Sequence, residues 1–307
     1  MNKALEVSSL NVDSKEVFYE LMKERDDLQI INIHRTSQAT LYFFDKEEKK
    51  QFLFCIVMNG ELDLYYKDKK EQLKRNAYFY YEQLNDLIRV EIRENANLLI
   101  VTSMKFFEDI NKGFSKFYEM IDSIGEKDHY TKGHCLRVKQ LAKKTGEKFG
   151  FSNQQLFHIT YAAQFHDIGK IKVDDDILKK KGKLTDVEFS EMRKHVAYSA
   201  ELFRDHFTFL SHDFDPDLIT TTIIQHHERL DGSGYPKGLK EDEILLEAKV
   251  LAVCDSFDAM VTDRPYKAGK TREVAVNELK ELSNRHYDPE VVKVFEDVLE
   301  DVFNELY

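Results

Sequence analysis

The sequence predicts an α+β protein in two domains, and three observations predict it. β-type runs fill roughly the first hundred positions, and helical periodicity replaces them afterwards. All four prolines (Pro216, Pro236, Pro265 and Pro289) lie in the last third of the chain, and ten of the eleven histidines follow Lys127. At 307 residues the chain is long enough for two separate cores. The expected division is a β-rich domain over 1–104, a helical connector over 105–127 and a second domain over 128–307.

In the first part, a short helix over Ser14–Arg25 is expected to lead into seven strands. These are Leu28–His34, Ala39–Phe44, Phe52–Met58, Glu61–Tyr66, Tyr78–Tyr81, Leu87–Ile92 and Leu98–Ser103. Asn59-Gly60 is a hairpin-turn signal between two of them. The aromatic run Tyr78–Tyr81 could stack a ligand base, but it reads better as strand core and sheet surface. His34 has no ligating neighbour and reads as an ordinary strand histidine. This half reads as a sensory or interaction domain. In the connector, Phe107, Ile110, Phe114, Phe117, Ile121 and Ile124 are spaced three and four apart. That pattern fits a helix packed on its own protein or the seam of a homodimer equally well.

Charge and composition exclude several classes. A net charge of −11 argues against a nucleic-acid polymer as partner, because phosphate backbones want a basic surface. A small anion stays compatible if cations cluster at one site. Three cysteines, Cys55, Cys135 and Cys254, form no paired motif and fit a reducing cytoplasm. The longest apolar run, Phe52 to Met58, is far short of the ~20 residues that span a membrane. No signal-peptide core is seen near Met1. A cytoplasmic location without membrane insertion is therefore expected.

In the second part, the stretch Tyr161–Lys170 organises the rest. Leu156, Ile159 and Ala163 mark an apolar helix face that runs on into His166, Asp167 and Lys170. Such groups aimed inward need an ion or each other, and a neutral imidazole beside a carboxylate suits a divalent metal. Gly169 is expected to break the helix and leave Lys170 at the mouth of the site. Upstream, His134 opens a stripe through Val138, Leu141, Thr145 and Phe149, with Gly150 as the stop. Lys172–Lys183 reads as a solvated, charged loop. Thr185–Glu188 is a capping box, and His195 lies on the buried face of the helix it starts. Asp215-Pro216 begins a helix carrying His226-His227, two rings that could converge on one ion or serve two. Gly232, Gly234 and Gly238 permit positive φ and close backbone approach to a ligand in the loop that follows. A helix around Ala248–Met260 presents Asp255, with Asp258 one turn later, and Asp288-Pro289 starts the last helix, with Val291, Val294, Val298 and Val302 inward.

The ordered series His134, His166-Asp167, His195, His226-His227, Gly234-Tyr235-Pro236, Asp255 and Arg264 resembles the HD-GYP phosphodiesterases. The resemblance covers residues 128–300 and implies an all-α HD-superfamily domain that hydrolyses cyclic di-GMP with two divalent metal ions, usually Fe or Mn. It implies that His134, His166, Asp167 and Asp255 ligate one metal, and that Asp167 bridges to a second held by His195, His226 and His227. Lys170 and Arg264 would contact phosphate, Tyr235 would shape the substrate pocket, and Asp258 would order ligands or basic side chains. The implied chemistry is attack on phosphorus by a metal-activated hydroxide, with Asp167 and Lys170 catalytic.

Some family members add a third metal through a glutamate four residues before the first histidine. Tyr130 stands there in this chain, so two metals are expected, with linear pGpG as the main product and slower conversion to GMP. Two alternatives accompany this reading: a phosphodiesterase for another cyclic dinucleotide, such as cyclic GMP-AMP, and a nucleotide-binding signalling adaptor. The second follows from two departures from the family pattern, Ser199 in place of a glycine and Leu230 in place of an aromatic. Signalling proteins could dock on the N-terminal domain or the loop around Tyr235.

Overall fold

The computed structural model describes residues 17–25, 28–35, 39–43, 52–67, 69–82, 87–93, 95–103, 120, 123, 129–206, 215–263 and 268–307. Contacts separate the chain into two compact units, one carrying the strands and one the helices, so the protein is mixed α+β.

The strand unit contains β1 (Val17–Arg25), β2 (Leu28–Arg35), β3 (Ala39–Phe43), β4 (Leu53–Asn59), β5 (Glu61–Tyr66), β6 (Lys69–Lys74), β7 (Tyr78–Tyr81), β8 (Ile88–Ile92) and β9 (Ala96–Thr102). They form two antiparallel sheets, ordered β1-β2-β9-β4-β7 and β3-β8-β5-β6. Alternation decides the faces. Leu53, Cys55 and Val57 of β4 and Ala96, Leu98 and Ile100 of β9 turn inward. There they share one apolar cluster with Leu41, Phe43, Leu62, Leu64, Val90 and Ile92 of the other sheet. Phe79 of β7 joins this core while Tyr78 and Tyr80 face outward, as expected of a half-buried strand.

Three expectations change here. The helix over Ser14–Arg25 is replaced by strand β1, which pairs with β2 along its length. Asn59-Gly60 is not a hairpin turn, because β4 and β5 belong to different sheets. It is a corner, and Gly60 takes a φ of 76° there, where a β-carbon would fall 2.8 Å from the Ala96 α-carbon. Strand β6 was not anticipated, since every residue but Leu73 is polar and it pairs with β5 alone at the sheet's edge. The seam residues from Phe107 to Ile124 lie outside the described residues.

The helical unit contains α1 (His129–Phe149), α2 (Asn153–Phe165), a 3-10 turn (Ile168–Lys172), α3 (Asp175–Leu178), α4 (Asp186–Arg193), α5 (His195–His206), α6 (Pro216–Gln225), α7 (Leu246–Val261), α8 (Arg272–Glu281) and α9 (Pro289–Leu306). Side-chain caps fix several of these starts. Thr185 and Glu188 exchange capping bonds at α4. Asp215 and Asp288 cap α6 and α9, each followed by proline at the first helical position. Gly150, at φ 87°, follows the end of α1. Helix α1 packs on α2, α7 and α9, which brings its His134 face into the centre of the unit. Among the described residues no helix is long and apolar enough to cross a membrane.

Several local expectations are also revised. The single helix expected through His195 is two, α4 and α5, broken at Lys194. The charged loop over 172–183 holds the short helix α3, and its charges are paired locally, Lys179 with Asp175 and Lys180 with Glu188. On α9, Val291, Val298 and Val302 are buried as predicted; Val294 is only half-buried, and Phe295 and Leu299 fill the core. Helix α8 was not anticipated from the sequence.

Candidate metal centre

Helix ends place most of the candidate ligands. His166 follows the last residue of α2, His195 opens α5, and His226 closes α6, while His134 and Asp255 project from within α1 and α7. In each of the first three, ring Nδ1 lies on the backbone carbonyl three residues earlier: Ala163 at 2.7 Å, Met192 at 2.8 Å and Ile223 at 2.6 Å. A carbonyl can only accept, so Nδ1 carries the proton and Nε2 presents its lone pair inward. The helical turn that precedes each ring therefore also sets its tautomer.

These side chains gather into three overlapping groups, His134/His166/Asp255, His195/His226/His227 and His166/Asp167/His226, each with donor atoms within 4.8 Å of one another. Asp167 connects them. Its Oδ2 lies 3.6 Å from Nε2 of both His134 and His166, while its Oδ1 lies 3.3 Å from Nε2 of His195. One carboxylate thus turns one oxygen to each side. Asp255 Oδ1 stands 3.2 Å from His134 Nε2. Lys170 Nζ donates to Asp167 Oδ2 at 2.5 Å, so the cation expected at the mouth of the site lies on its central carboxylate.

Burial and charge set the protonation states. Burial pushes His195 down to about 4 and His226 to about 3, and it holds His227 well below the usual imidazole value. Those three rings are neutral at pH 7. His134 behaves oppositely: burial lowers its pKa, but hydrogen bonds to Asp255 and Asp258 outweigh that and raise it to about 9. For Asp167, burial favours the neutral acid, yet Lys170 and the surrounding histidines hold its pKa well below the usual carboxylate range.

A second layer supports the first group. Asp258 is fully buried and accepts from His134 Nδ1 at 2.7 Å, from Arg137 Nε at 2.6 Å and Nη2 at 3.0 Å, and from the Tyr307 hydroxyl at 2.5 Å. The ordering role expected of Asp258 thus has direct geometry. Arg137 and Tyr307 were missed: nothing in the local sequence marks a tyrosine 49 residues downstream as its partner.

Gly169 does more than end a helix. A β-carbon there would fall 2.2 Å from the His195 carbonyl oxygen and 2.4 Å from the Ser199 backbone nitrogen. Its own N–H donates to Ser199 Oγ at 2.8 Å, so the serine that departs from the family pattern ties the His166-Asp167 segment to α5. In the glycine-rich loop, Gly232 and Gly238 have positive φ as expected. Gly234 does not: its close approach is to the backbone of Glu228, whose buried carboxylate accepts from Lys237 N and Leu239 N and closes the loop. Tyr235 stacks on His227 with ring centroids 4.7 Å apart. Leu230 is buried beside Ile244 and Ala248. The thiols of Cys135 and Cys254 are buried, as packing residues should be. Arg264 lies outside the described residues.

The donor set fits divalent cations. His195 Nε2 and His226 Nε2 are buried without a hydrogen-bond partner, and an unpaired inward lone pair is costly unless something electrophilic meets it. Imidazole and carboxylate together are a ligand chemistry for transition-metal ions.

Paired histidines and aspartates enclosed by helices define a class, and the chain belongs to it: the HD domain family profile matches residues 117–291. The chain is 39% identical over 224 residues to the cyclic di-GMP phosphodiesterase of Thermotoga maritima, covering 72% of this chain and 58% of that one. It is 36% identical over 170 residues to the cyclic di-GMP phosphodiesterase response regulator RpfG of Xanthomonas campestris, covering 55% and 44%. It is 28% identical over 255 residues to the 3'3'-cGAMP-specific phosphodiesterase 2 of Vibrio cholerae, covering 82% and 44%. The chain spans about half the length of these curated relatives.

Proposed function

We propose that this chain is a metal-dependent phosphodiesterase of the HD-GYP type that hydrolyses cyclic di-GMP, chiefly to linear pGpG. The observation that carries the reading is the Asp167 carboxylate, which offers one oxygen to the His134/His166/Asp255 group and the other to His195 beside His226 and His227. That is the disposition a bridging ligand needs. His134, His166, Asp167 and Asp255 would hold one divalent ion, and His195, His226 and His227 a second, with Fe or Mn suited to this mixture of nitrogen and oxygen donors. Such ions supply Lewis acidity and lower the pKa of water towards neutrality.

The protein's own part is to exclude bulk water around these groups and to place cations near phosphate. Lys170 is close enough to Asp167 to reach a phosphoryl oxygen at the site, and Arg264 would add a second charge-assisted contact. Tyr235 forms one wall, against His227. Residues 1–104 would regulate rather than catalyse, because the donor groups found among the described residues all lie in the helical unit.

Anaerobic loading with Fe(II) or Mn(II), followed by time-resolved separation of pGpG and GMP, tests the reading. Two bound metals and early pGpG are expected, and absence of cyclic di-GMP hydrolysis with either metal overturns the activity. A second reading, hydrolysis of 3'3'-cGAMP, draws on the name of one relative, and the same assay with that substrate decides between them.

A further inference from the structure

Arg193, the last residue of α4, holds its guanidinium carbon 4.4 Å from the ring centroid of Phe189 and 4.9 Å from that of Tyr235. Tyr235 in turn stacks on His227, so Arg193 lies one ring beyond the metal centre. The side chain is exposed, and among the described residues it makes no ion pair or hydrogen bond. Nearby arginines differ: Arg137 is committed to Asp258, Arg204 to Asp217 and Arg229 to backbone carbonyls. Phe189 is 41% exposed and its ring centroid lies 6.3 Å from that of Tyr235, which leaves an aromatic surface open beside the site.

We propose that Arg193, held over Phe189 and Tyr235, recognises the guanine base of a cyclic dinucleotide and sets the preference for guanine over adenine. This deepens the phosphodiesterase reading and rests on it. A guanidinium lying over ring faces uses its π surface there and keeps its fork of N–H donors for another partner. Phosphate belongs at the metal groups and Lys170, whereas Arg193 stands beyond His227, where a base attached to that phosphate would extend. Guanine presents O6 and N7 as two adjacent acceptors that match the fork; adenine places an N6 amino donor where O6 would be. The exposed part of the Phe189 ring provides an aromatic surface against which a base packs.

The test measures kcat/KM and, independently of turnover, dissociation constants for cyclic di-GMP, 3'3'-cGAMP and cyclic di-AMP with metal-loaded protein. The parent should prefer them in that order. Arg193→Ala should lower the cyclic di-GMP to cyclic di-AMP ratio by about 5–150-fold, the range of one bidentate base contact. Arg193→Lys should not restore it, because an ammonium has no planar fork. Phe189→Ala should lower the ratio in the same direction but less. Melting temperature and metal content, unchanged at these exposed positions, exclude misfolding. An unaltered ratio, or an equal loss on all three nucleotides, overturns the assignment. Loss of turnover on every nucleotide by the parent, with guanine-selective binding that still depends on Arg193, would overturn only the phosphodiesterase reading.

Discussion

The two halves of the metal centre are stabilised in different ways. The His134/His166/Asp255 group is rich in charge: His134 lies between Asp255 and Asp258, and Asp258 is itself held by Arg137 and Tyr307. The His195/His226/His227 group feels Asp167 and Asp255 less strongly than it feels burial, and burial rather than pairing fixes its protonation. The difference teaches that a buried imidazole can be prepared as a ligand by two routes. One route fixes the ring with a carboxylate and leaves it basic; the other buries it neutral and orients it through a backbone carbonyl.

Removing what the two halves share should have the largest effect. Asp167→Ala is expected to abolish binding of both metals and all phosphodiester hydrolysis while the β unit stays folded. Elemental analysis with circular dichroism checks this, and retention of two metals would refute the shared role. Next comes Gly169→Ala, because its β-carbon would overlap the backbone at His195 and Ser199. It should destabilise the helical unit by about 1–3 kcal/mol, as overpacking does, and separate Asp167 from His195. A thermal melt near the parent's, with two metals bound, would show that α5 shifts freely and that the close approach is incidental.

What the sequence made legible follows from how local each signal is. The capping box at Thr185, the Asp-Pro starts at Asp215 and Asp288, and the inward helix faces that carry the histidines are set within a few residues, and each was readable. The break that puts His195 at a helix start was not. Strand β1 was misread because an edge strand paired on one side need not alternate, and β6 escaped because Leu73 is its one apolar residue. The partner of β4 across Asn59-Gly60 depends on sheet order, which no dipeptide encodes. At the site, the histidine and aspartate candidates could be found from inward helix faces, but the Arg137–Asp258–Tyr307 network joins three helix segments far apart in the chain. Arg193 likewise meets Tyr235 only after α4 and the glycine-rich loop pack together.

A pH titration sharpens the contrast between the halves. With a metal-free pKa of about 9, His134 is protonated at pH 7 and must lose that proton to bind a cation. Affinity at the first group should therefore rise about tenfold per pH unit up to about pH 9 and then level off, with one proton released per ion below that point. At the second group the rings are already neutral above about pH 4, so affinity should be flat from pH 6 to 9. Calorimetry in buffers of different ionisation enthalpy reads the proton directly. Equal slopes at the two groups would erase the distinction.

The smallest expected effect is also the most discriminating. Tyr307 donates its hydroxyl to Asp258 Oδ1, while its ring packs beside Phe303 and Phe257. Tyr307→Phe keeps those ring contacts and removes one donor. Asp258 then keeps more negative charge for His134 Nδ1, which makes that imidazole more basic and its proton harder to displace. Metal affinity at the first group should fall by about 2–5-fold at pH 7, less than the 10–100-fold typical of losing a direct outer partner such as Asp258. Above the His134 pKa, where no proton competes, the more basic ring should bind as tightly as the parent or more so. A phenol that merely braced helix α9 would instead weaken binding at every pH, so the crossing of the two affinity curves separates an electrostatic role for Tyr307 from a structural one.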